Sequence, residues 1–230
     1  MELSTRLATI ASFVPKGSHV IDVGTDHAYI PIYLVQSGIA VSCLATDINQ
    51  GPIDKARKNI EAHQIENISL MRTNGVEGVD PNEGDVLMIS GMGGFLIIDI
   101  LKRGSALVRQ VKRLILQPQQ DIHEVRKYLH EINFKIIDEA FIKDEEKYYT
   151  VIVAEPGTEP KYEKRYEYLY GKCLIEKKSE VLKEWIHMKL EKQKGIYQNL
   201  VGQQSQSALS RRKELEEEIQ MLQEVVLCLN

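Results

Sequence analysis

The sequence has few cysteines and no pattern that would join them. Cys43, Cys173 and Cys228 are far apart, and none of them lies in a C-x-x-C pair. An odd, scattered set of thiols excludes a disulfide framework and the zinc clusters that use paired cysteines. The six histidines are equally scattered, with no H-x-H or H-E-x-x-H spacing. We therefore expect reduced thiols and no bound metal.

Long apolar runs are also missing. No stretch reaches the roughly 18 consecutive apolar residues that a membrane-spanning helix requires. The first residues, Met1-Glu2-Leu3-Ser4, are acidic and polar, whereas a signal peptide begins with basic and then apolar residues. These two absences predict a cytoplasmic protein without a membrane-spanning segment.

The chain lacks the basic excess of many nucleic-acid-binding proteins. It has 29 Lys and Arg against 33 Asp and Glu, a net charge of −4. Residues 161–230 hold 13 basic and 11 acidic residues, so this part carries +2 and the remainder −6. An acidic protein does not attract RNA through its overall field. An RNA ligand would have to be held by local basic patches. The candidate phosphate contacts are dispersed along the sequence, and each also fits ordinary surface charge: Arg6, Lys16, Lys102, Arg103, Arg109, Lys112 and Arg113.

Short apolar runs alternate with amphipathic stretches up to about residue 155. The predicted strands are 18–23, 41–46, 68–72, 85–90, 114–117, 134–141 and 148–154. The predicted helices are 28–36, 52–62, 95–101 and 122–132. This alternation predicts an α/β fold with a mostly parallel, Rossmann-like sheet. The last two strands fit an antiparallel edge added to that sheet.

The pattern changes after a cluster of helix-breaking residues at 155–160. Two long helical patterns follow, at about 176–200 and 208–229, joined by a short polar segment. This arrangement predicts an antiparallel helical hairpin or short coiled coil. We therefore expect a cofactor-binding catalytic domain at residues 1–157 and a helical hairpin domain at 158–230.

The turn after the first predicted strand carries the clearest functional pattern. Gly24 would let the backbone approach a ligand closely, and Asp22 could accept hydrogen bonds from an ammonium group. Asp26 stands where a dinucleotide-binding turn has its second glycine, and a carboxylate there would repel a pyrophosphate. The pattern therefore favours the cationic cofactor S-adenosylmethionine (SAM) over NAD. We predict that Thr25 and His27 of the same turn also bind the cofactor.

Polar residues follow the next two predicted strands. Asp47 ends the second strand 23 positions after Gly24, where a carboxylate can accept hydrogen bonds from ribose hydroxyls. The alternative role for Asp47 is helix capping. Ile48 adjoins it in the predicted cofactor site. Asn74 and Gly75 follow the third strand and could read the adenine edge, although this dipeptide is also a turn signal.

A glycine-rich segment follows the 85–90 strand. It reads Ser90-Gly91-Met92-Gly93-Gly94, and three glycines within four residues predict a backbone that bends closely around a ligand. The alternative is a flexible turn that leads into the next helix. Gln117 and Gln119 follow the next strand at the same sheet edge, where either amide could orient a target base or simply form a turn.

Several of these segments together resemble the bacterial tRNA (adenine-22-N1)-methyltransferase family, the TrmK group. The resemblance rests on the segments Leu3-Ser4-Thr5-Arg6-Leu7, Asp22-Val23-Gly24-Thr25-Asp26-His27-Ala28-Tyr29-Ile30-Pro31, Gly51-Pro52, Gly91-Met92-Gly93-Gly94, Leu114-Ile115-Leu116-Gln117-Pro118 and Tyr149-Thr150-Val151-Ile152-Val153-Ala154-Glu155. Three places depart from the family pattern: Gln119, where Asn is usual, Asn74, where Asp is frequent, and Tyr170-Gly171-Lys172, which replaces a Phe-Gly-Pro-like segment.

The resemblance implies a class I SAM-dependent methyltransferase that modifies N1 of adenosine 22 in the D-arm of tRNA. Adenine N1 has an in-plane lone pair, so the enzyme's main task would be to align it with the methyl group. We expect Gly91, Met92, Gly93 and Gln117 to hold the base. Asp26 could stabilise the cationic product or accept an N6 proton.

Two other functions stay open on the sequence alone. A methyltransferase of a small molecule or protein would use the helical hairpin for dimerisation or partner docking, and the acidic net charge favours it. A non-catalytic binding module would keep SAM as a structural or sensing ligand. The sequence leaves the oligomeric state undetermined.

Overall fold

The structure is a computed structural model in which residues 2–230 are described. The chain divides into two compact units, the first ending at Lys161 and the second comprising Tyr162–Asn230. Each unit is described separately below. None of the helices among residues 2–230 is long and apolar enough to cross a membrane.

A seven-stranded sheet forms the centre of the first unit, in the order β3-β2-β1-β4-β5-β7-β6. The strands are β1 (Ser18–Val23), β2 (Ala40–Asp47), β3 (Ile68–Arg72), β4 (Val86–Gly93), β5 (Arg113–Gln120), β6 (Phe134–Asp144) and β7 (Lys147–Pro156). Strands β1 to β5 are parallel, whereas β7 pairs antiparallel with both β5 and β6. The predicted mostly parallel sheet with an antiparallel edge is confirmed.

The helices of this unit connect the strands. They are α1 (Thr5–Ser12), α2 (Tyr29–Gln36), α3 (Gln50–Ala62), α4 (Gly94–Arg103), α5 (Ser105–Val108) and α6 (Ile122–Glu131). The central strands are continuous apolar runs, as expected of parallel strands whose two faces are both covered. Ile21 in β1, Leu87 in β4 and Ile115 in β5 are fully buried.

Helix α1 was not predicted, although the sequence contains its pattern. Ser4 caps the helix by accepting a hydrogen bond from the Leu7 N–H. Ile10 and Ala11 are buried at i+3 and i+4 from Leu7, the spacing of one helical face. A capping serine followed by this spacing is therefore sufficient to identify the helix from sequence.

Strands β4 and β5 extend further than the predicted 85–90 and 114–117. β4 continues through the glycine-rich segment to Gly93, and its pairing with β5 shifts register on either side of Met92. Such irregularities bend a strand and rotate its side chains. The predicted end of this strand at residue 90 was wrong, because pairing with β5 keeps the glycine-rich segment in the sheet as far as Gly93.

The second unit is helical. It contains a π-helical turn (Glu167–Gly171), α7 (Lys172–Glu176), α8 (Glu180–Leu200) and α9 (Gln206–Leu229). Helices α8 and α9 pack against each other, which agrees with the predicted hairpin. The buried residues of α9 include Ala208, Leu215, Leu222 and Leu229, spaced by seven residues as in a coiled coil.

The buried face of α8 differs from the one that its larger apolar residues suggest. Val181, Trp185, Met188 and Ile196 mark the helical pattern in the sequence, yet Met188 is 53% exposed. The buried positions are instead Leu182, Ile186 and Leu190, at i+4 steps along one face. The presence of the helix was predicted correctly, but the face that it buries was not.

Candidate cofactor and substrate site

A cavity of about 370 Å³ lies at the carboxyl ends of β1 and β4. Ligands of open α/β sheets bind at this edge, where the strand order reverses. The lining residues are Arg6, Leu7, Asp22, Gly24, Thr25, Asp26, His27, Ala28, Tyr29, Ile30, Ser90, Gly91 and Gln119. All five predicted cofactor residues of the turn after β1 are therefore together, with Ser90 and Gly91 opposite them.

Asp22 is the buried acidic group of this cavity. Its residue is only 5% exposed, and burial raises the pKa of its carboxyl group to about 6. The negative charge of Asp47 raises this pKa further, while the neighbouring Thr25 hydroxyl lowers it. A desolvated carboxylate is stabilised by a nearby cation. The site is therefore suited to a ligand with a positively charged group at this point.

The turn after β1 is fixed by the end of β2. The backbone N–H groups of Gly24 and Thr25 both donate to the carbonyl oxygen of Thr46, at 2.8 and 2.9 Å. Gly24 has φ of +80°, a conformation that favours glycine. An added Cβ at Gly24 would also lie 2.2 Å from Cε of Met92. The need for glycine thus comes from the backbone conformation, since the Met92 methyl group is the end of a flexible side chain that can move aside.

Asp26 differs from Asp22 in its surroundings. Its side chain is 63% exposed, with its carboxylate 3.3 Å from Nζ of Lys55 and 3.2 Å from Nε2 of His27. The carboxylate thus has Lys55 as its cationic partner at the mouth of the cavity. An exposed ion pair of this kind is screened by solvent.

The predicted ribose and adenine residues lie at neighbouring strand ends, outside the set that lines the cavity. Asp47 accepts a hydrogen bond from the Asn49 N–H at 2.8 Å. The following helix has Asn49 as its N-cap residue, so the alternative of Asp47 as the helix cap was wrong. The Thr46 hydroxyl donates to the Gly75 carbonyl at 3.0 Å, which fixes the Asn74-Gly75 turn beside β2. Ile48 is 54% exposed.

The glycines after Ser90 have different roles. Gly91 lines the cavity with φ of +77°. A Cβ at Gly94 would lie 2.6 Å from the Gln120 carbonyl oxygen, whereas a Cβ at Gly93 would meet nothing within 4 Å. Gly94 therefore permits close packing of β4 against the end of β5. Of the three, only Gly91 faces the ligand cavity.

Gln117 and Gln119 of β5 are in contrasting environments. Gln117 is fully buried, and its side-chain oxygen accepts a hydrogen bond from the Arg6 guanidinium at 3.0 Å. Gln119 is exposed and lines the cavity. Gln117 therefore supports a cavity residue, while Gln119 is itself accessible to a ligand.

Arg6 is the main site residue that the sequence placed elsewhere, among dispersed phosphate contacts. Its backbone N–H donates to the Asp144 carboxylate at 3.0 Å, and its guanidinium lies 5.4 Å from the ring centroid of Tyr149. Helix α1 is thereby joined to β6 and β7. The position of Arg6 in a capped amphipathic helix would have been the sequence signal for its orientation.

The other residues considered as phosphate contacts do not line this cavity. They are Lys16, Lys102, Arg103, Arg109, Lys112 and Arg113. Arg113, for example, pairs with Glu155. Within residues 2–230, no group of three or more His, Cys, Asp and Glu side chains could hold a metal ion.

Comparison with known proteins gives one consistent family. The sequence model of the TrmK family, tRNA (adenine(22)-N(1))-methyltransferase, matches residues 20–224. The chain is 32% identical to the tRNA (adenine(22)-N(1))-methyltransferase of Bacillus subtilis, over 98% of both proteins. The crystal structure of the B. subtilis m1A22 tRNA methyltransferase TrmK superposes with a TM-score of 0.84, covering 98% of this chain and 99% of that one, at 31% identity.

A Streptococcus pneumoniae relative has been solved in complex with S-adenosyl-L-methionine. The two sequences are 33% identical, and the structures superpose with a TM-score of 0.85. The superposition covers 98% of this chain and 100% of the S. pneumoniae chain. Family match, sequence identity and superposition all extend over both units of the chain. This protein therefore belongs to the TrmK family of SAM-dependent tRNA (adenine(22)-N(1))-methyltransferases.

Proposed function

We propose that this protein transfers the methyl group of SAM to N1 of adenosine 22 in tRNA. The observation that carries the proposal is the buried Asp22 carboxylate at the base of a cavity edged by Gly24 and Gly91, in a chain of the m1A22 family. The same family membership supports tRNA as the partner and the cytoplasm as the location.

The residues of the cavity fit the chemistry of SAM. Asp22 would accept hydrogen bonds from its ammonium group, which offsets the desolvation of the carboxylate. Asp47 and Ile48 would bind the ribose, and Asn74 with Gly75 would bind the adenine edge. The remaining proposed contacts come from the cavity wall: Gly24, Thr25, Asp26, His27, Ser90 and Gly91. SAM supplies an electrophilic methyl group on a sulfonium centre.

The protein would contribute alignment and charge stabilisation. N1 of adenine reacts through an in-plane lone pair, so holding it in line with the methyl group is the main requirement. Since N1 is occupied in a base pair, the target base must be unpaired or flipped out. Gly91 would shape the wall beside the base, with Met92 and Gly93 continuing the same segment of β4 behind it, and Gln117 would act by holding Arg6. Asp26 would stabilise the positive charge of the product.

The two parts of the chain would have different tasks. We assign catalysis to residues 1–157, which contain every residue of the cavity. Residues 158–230 would form the helical hairpin domain, and the part of it from residue 161 onward carries a net charge of +2. The rest of the chain, residues 1–160, carries a net charge of −6. This negative charge implies that tRNA is held through local contacts rather than by the overall electrostatic field of the protein.

Methyl transfer to tRNA is tested directly with the purified full chain. The protein is incubated with methyl-labelled SAM and total bacterial tRNA, and the nucleosides are analysed by mass spectrometry. We expect labelled 1-methyladenosine, and an adenosine-22-to-guanosine transcript should remain unlabelled. Absence of labelled RNA, while calorimetry shows SAM binding, would contradict the proposal.

A further inference from the structure

A second, smaller cavity adjoins the first. It has a volume of about 280 Å³ and is lined by Gln119, Lys147, Tyr148 and Tyr149. This volume lies just below the range of about 300 to 1,000 Å³ of typical small-ligand pockets, so it suits one base rather than a whole nucleotide. Gln119 lines both cavities. A group bound in the second cavity would therefore be next to the first.

Two tyrosines line this second cavity. Tyr148 and Tyr149 are half-buried at the start of β7, and successive strand residues point to opposite faces. The Tyr148 ring stacks on Phe141, with centroids 5.5 Å apart, while the Tyr149 ring lies under the Arg6 guanidinium. Since Arg6 lines the cofactor cavity, Tyr149 is the ring adjacent to that cavity. Unstacked bases bind by stacking on such rings.

The side chain of Gln119 has the chemistry to select adenine. A glutamine amide can pair with adenine through two hydrogen bonds, donating to N7 and accepting from the N6 amino group. Guanine presents acceptors at both corresponding positions, so the amide oxygen would face another acceptor. Pairing at N6 and N7 leaves N1, on the other side of N6, free to face the cofactor.

We propose that the second cavity is the target-base subsite, in which Gln119 reads the N6/N7 edge of the flipped adenine beside Tyr149. The inference rests on the proposed function and specifies its substrate contact. Lys147 is exposed at the rim of this cavity, where it can meet a phosphate of the flipped nucleotide. Gln119 thereby determines base specificity, and Gln117 supports it only indirectly through Arg6.

The test changes one atom of the base together with one side chain. Wild type, Gln119→Ala and Gln120→Ala each methylate tRNA with either adenosine or 7-deazaadenosine at position 22. Gln120 is the matched control, because it is the next, equally exposed glutamine and lines neither cavity. SAM affinity is measured in parallel by calorimetry.

We expect Gln119→Ala to lower kcat/KM for adenosine tRNA by about 5- to 150-fold, the range of a two-bond amide–adenine pair. SAM affinity and thermal stability should not change, and Gln120→Ala should match wild type. Wild type should lose activity several-fold on 7-deazaadenosine, whereas Gln119→Ala should show no further loss, because the N7 partner is already absent.

The possible results distinguish an error in the base subsite from an error in the proposed function. If wild type methylates tRNA but Gln119→Ala and wild type respond equally to 7-deazaadenosine, the subsite is wrong and the proposed function stands. An equal loss in Gln120→Ala would also overturn the subsite. If wild type binds SAM and transfers no methyl group to tRNA, the proposed function and the subsite fail together.

Discussion

The two sides of the ligand cavity are built in different ways. The β1 side is a single stretch of chain, residues 22–30, that carries two carboxylates and a left-handed glycine. The β5 side combines Arg6 of α1, Gln117 and Gln119 of β5 and Tyr149 of β7. It contains cationic, amide and aromatic groups from three distant segments. The cofactor side is thus encoded locally, whereas the proposed base side exists only after the sheet has formed.

The largest expected effect concerns the β1 side, through Asp22→Asn. Loss of the carboxylate should weaken SAM binding by about 2 kcal/mol or more, roughly 30-fold, because a buried charge partner is removed. The ligand-free variant should be as stable as wild type at pH 7.5 or up to about 2 kcal/mol more stable, since burial of the ionised group is unfavourable. Calorimetry and thermal unfolding measure the two effects.

Asp54→Asn is the control for Asp22→Asn, because Asp54 is an exposed carboxylate on α3. It should change neither SAM affinity nor stability. Equal SAM affinity in Asp22→Asn and wild type would show that Asp22 does not bind the cofactor. The β1 side of the cavity would then not be the cofactor side.

The second prediction concerns the packing of β4 against the β5 end. Gly94→Ala should lower the free energy of unfolding by about 1 to 3 kcal/mol, because its Cβ would collide with backbone carbonyl groups that cannot move freely. Gly93→Ala should leave the unfolding transition unchanged, since φ is −65° and the space is open. Thermal or urea unfolding of both variants decides this. Equal stabilities would show that the close approach at Gly94 is absent.

The third prediction is a pH dependence on the β1 side. SAM affinity should fall about tenfold from pH 7 to pH 5, because protonation of Asp22, whose pKa is about 6, removes the charge that binds the ammonium group. The raised pKa also means that the stabilising contribution of protonated Asp22 is present below pH 3.8 and is lost as the pH rises through about 6.

Calorimetric titration with SAM at several pH values tests this linkage. Asp22→Asn should show a flat affinity over the same range, because the titrating group is absent. A wild-type affinity that does not change between pH 7 and pH 5 would contradict the role of Asp22.

The smallest expected effect is that of Asp26→Asn. Turnover at saturating SAM should fall about two- to tenfold, because the exposed carboxylate is screened by solvent and paired with Lys55. Steady-state kinetics at saturating SAM measures it, with Lys55→Met as the comparison that removes the ammonium partner of Asp26. Poor SAM binding with full turnover at saturation would show that Asp26 contributes to cofactor binding alone.

Local sequence predicted the α/β fold and most strands to within a few residues. Alternating apolar runs and helices suffice for this, because parallel strands buried on both faces must be almost continuously apolar. The same local reasoning located the turn at 22–27, because the residues that form its side of the cavity are adjacent in the sequence. It failed for β4, where pairing with β5 keeps Ser90 to Gly93 in the sheet.

The sequence could not decide which polar residues face the cavity. Gln117 and Gln119 lie two residues apart on one strand, yet Gln117 is buried under Arg6 and Gln119 is exposed at the cavity. The shifts in β4–β5 register and the position of α1 create this difference. Neither can be calculated from the segment 114–119 alone.

The sequence by itself determined the alternation of strands and helices, the acidic turn suited to a cationic cofactor, and the two long helices that follow residue 160. Each of these depends on residues close together in the chain. Only the tertiary structure decided that Asp22 is desolvated while Asp26 is not, and that Arg6, Gln119 and Tyr149 meet. The physical reason is that burial and long-range contacts depend on which segments pack together, and packing is a property of the whole fold.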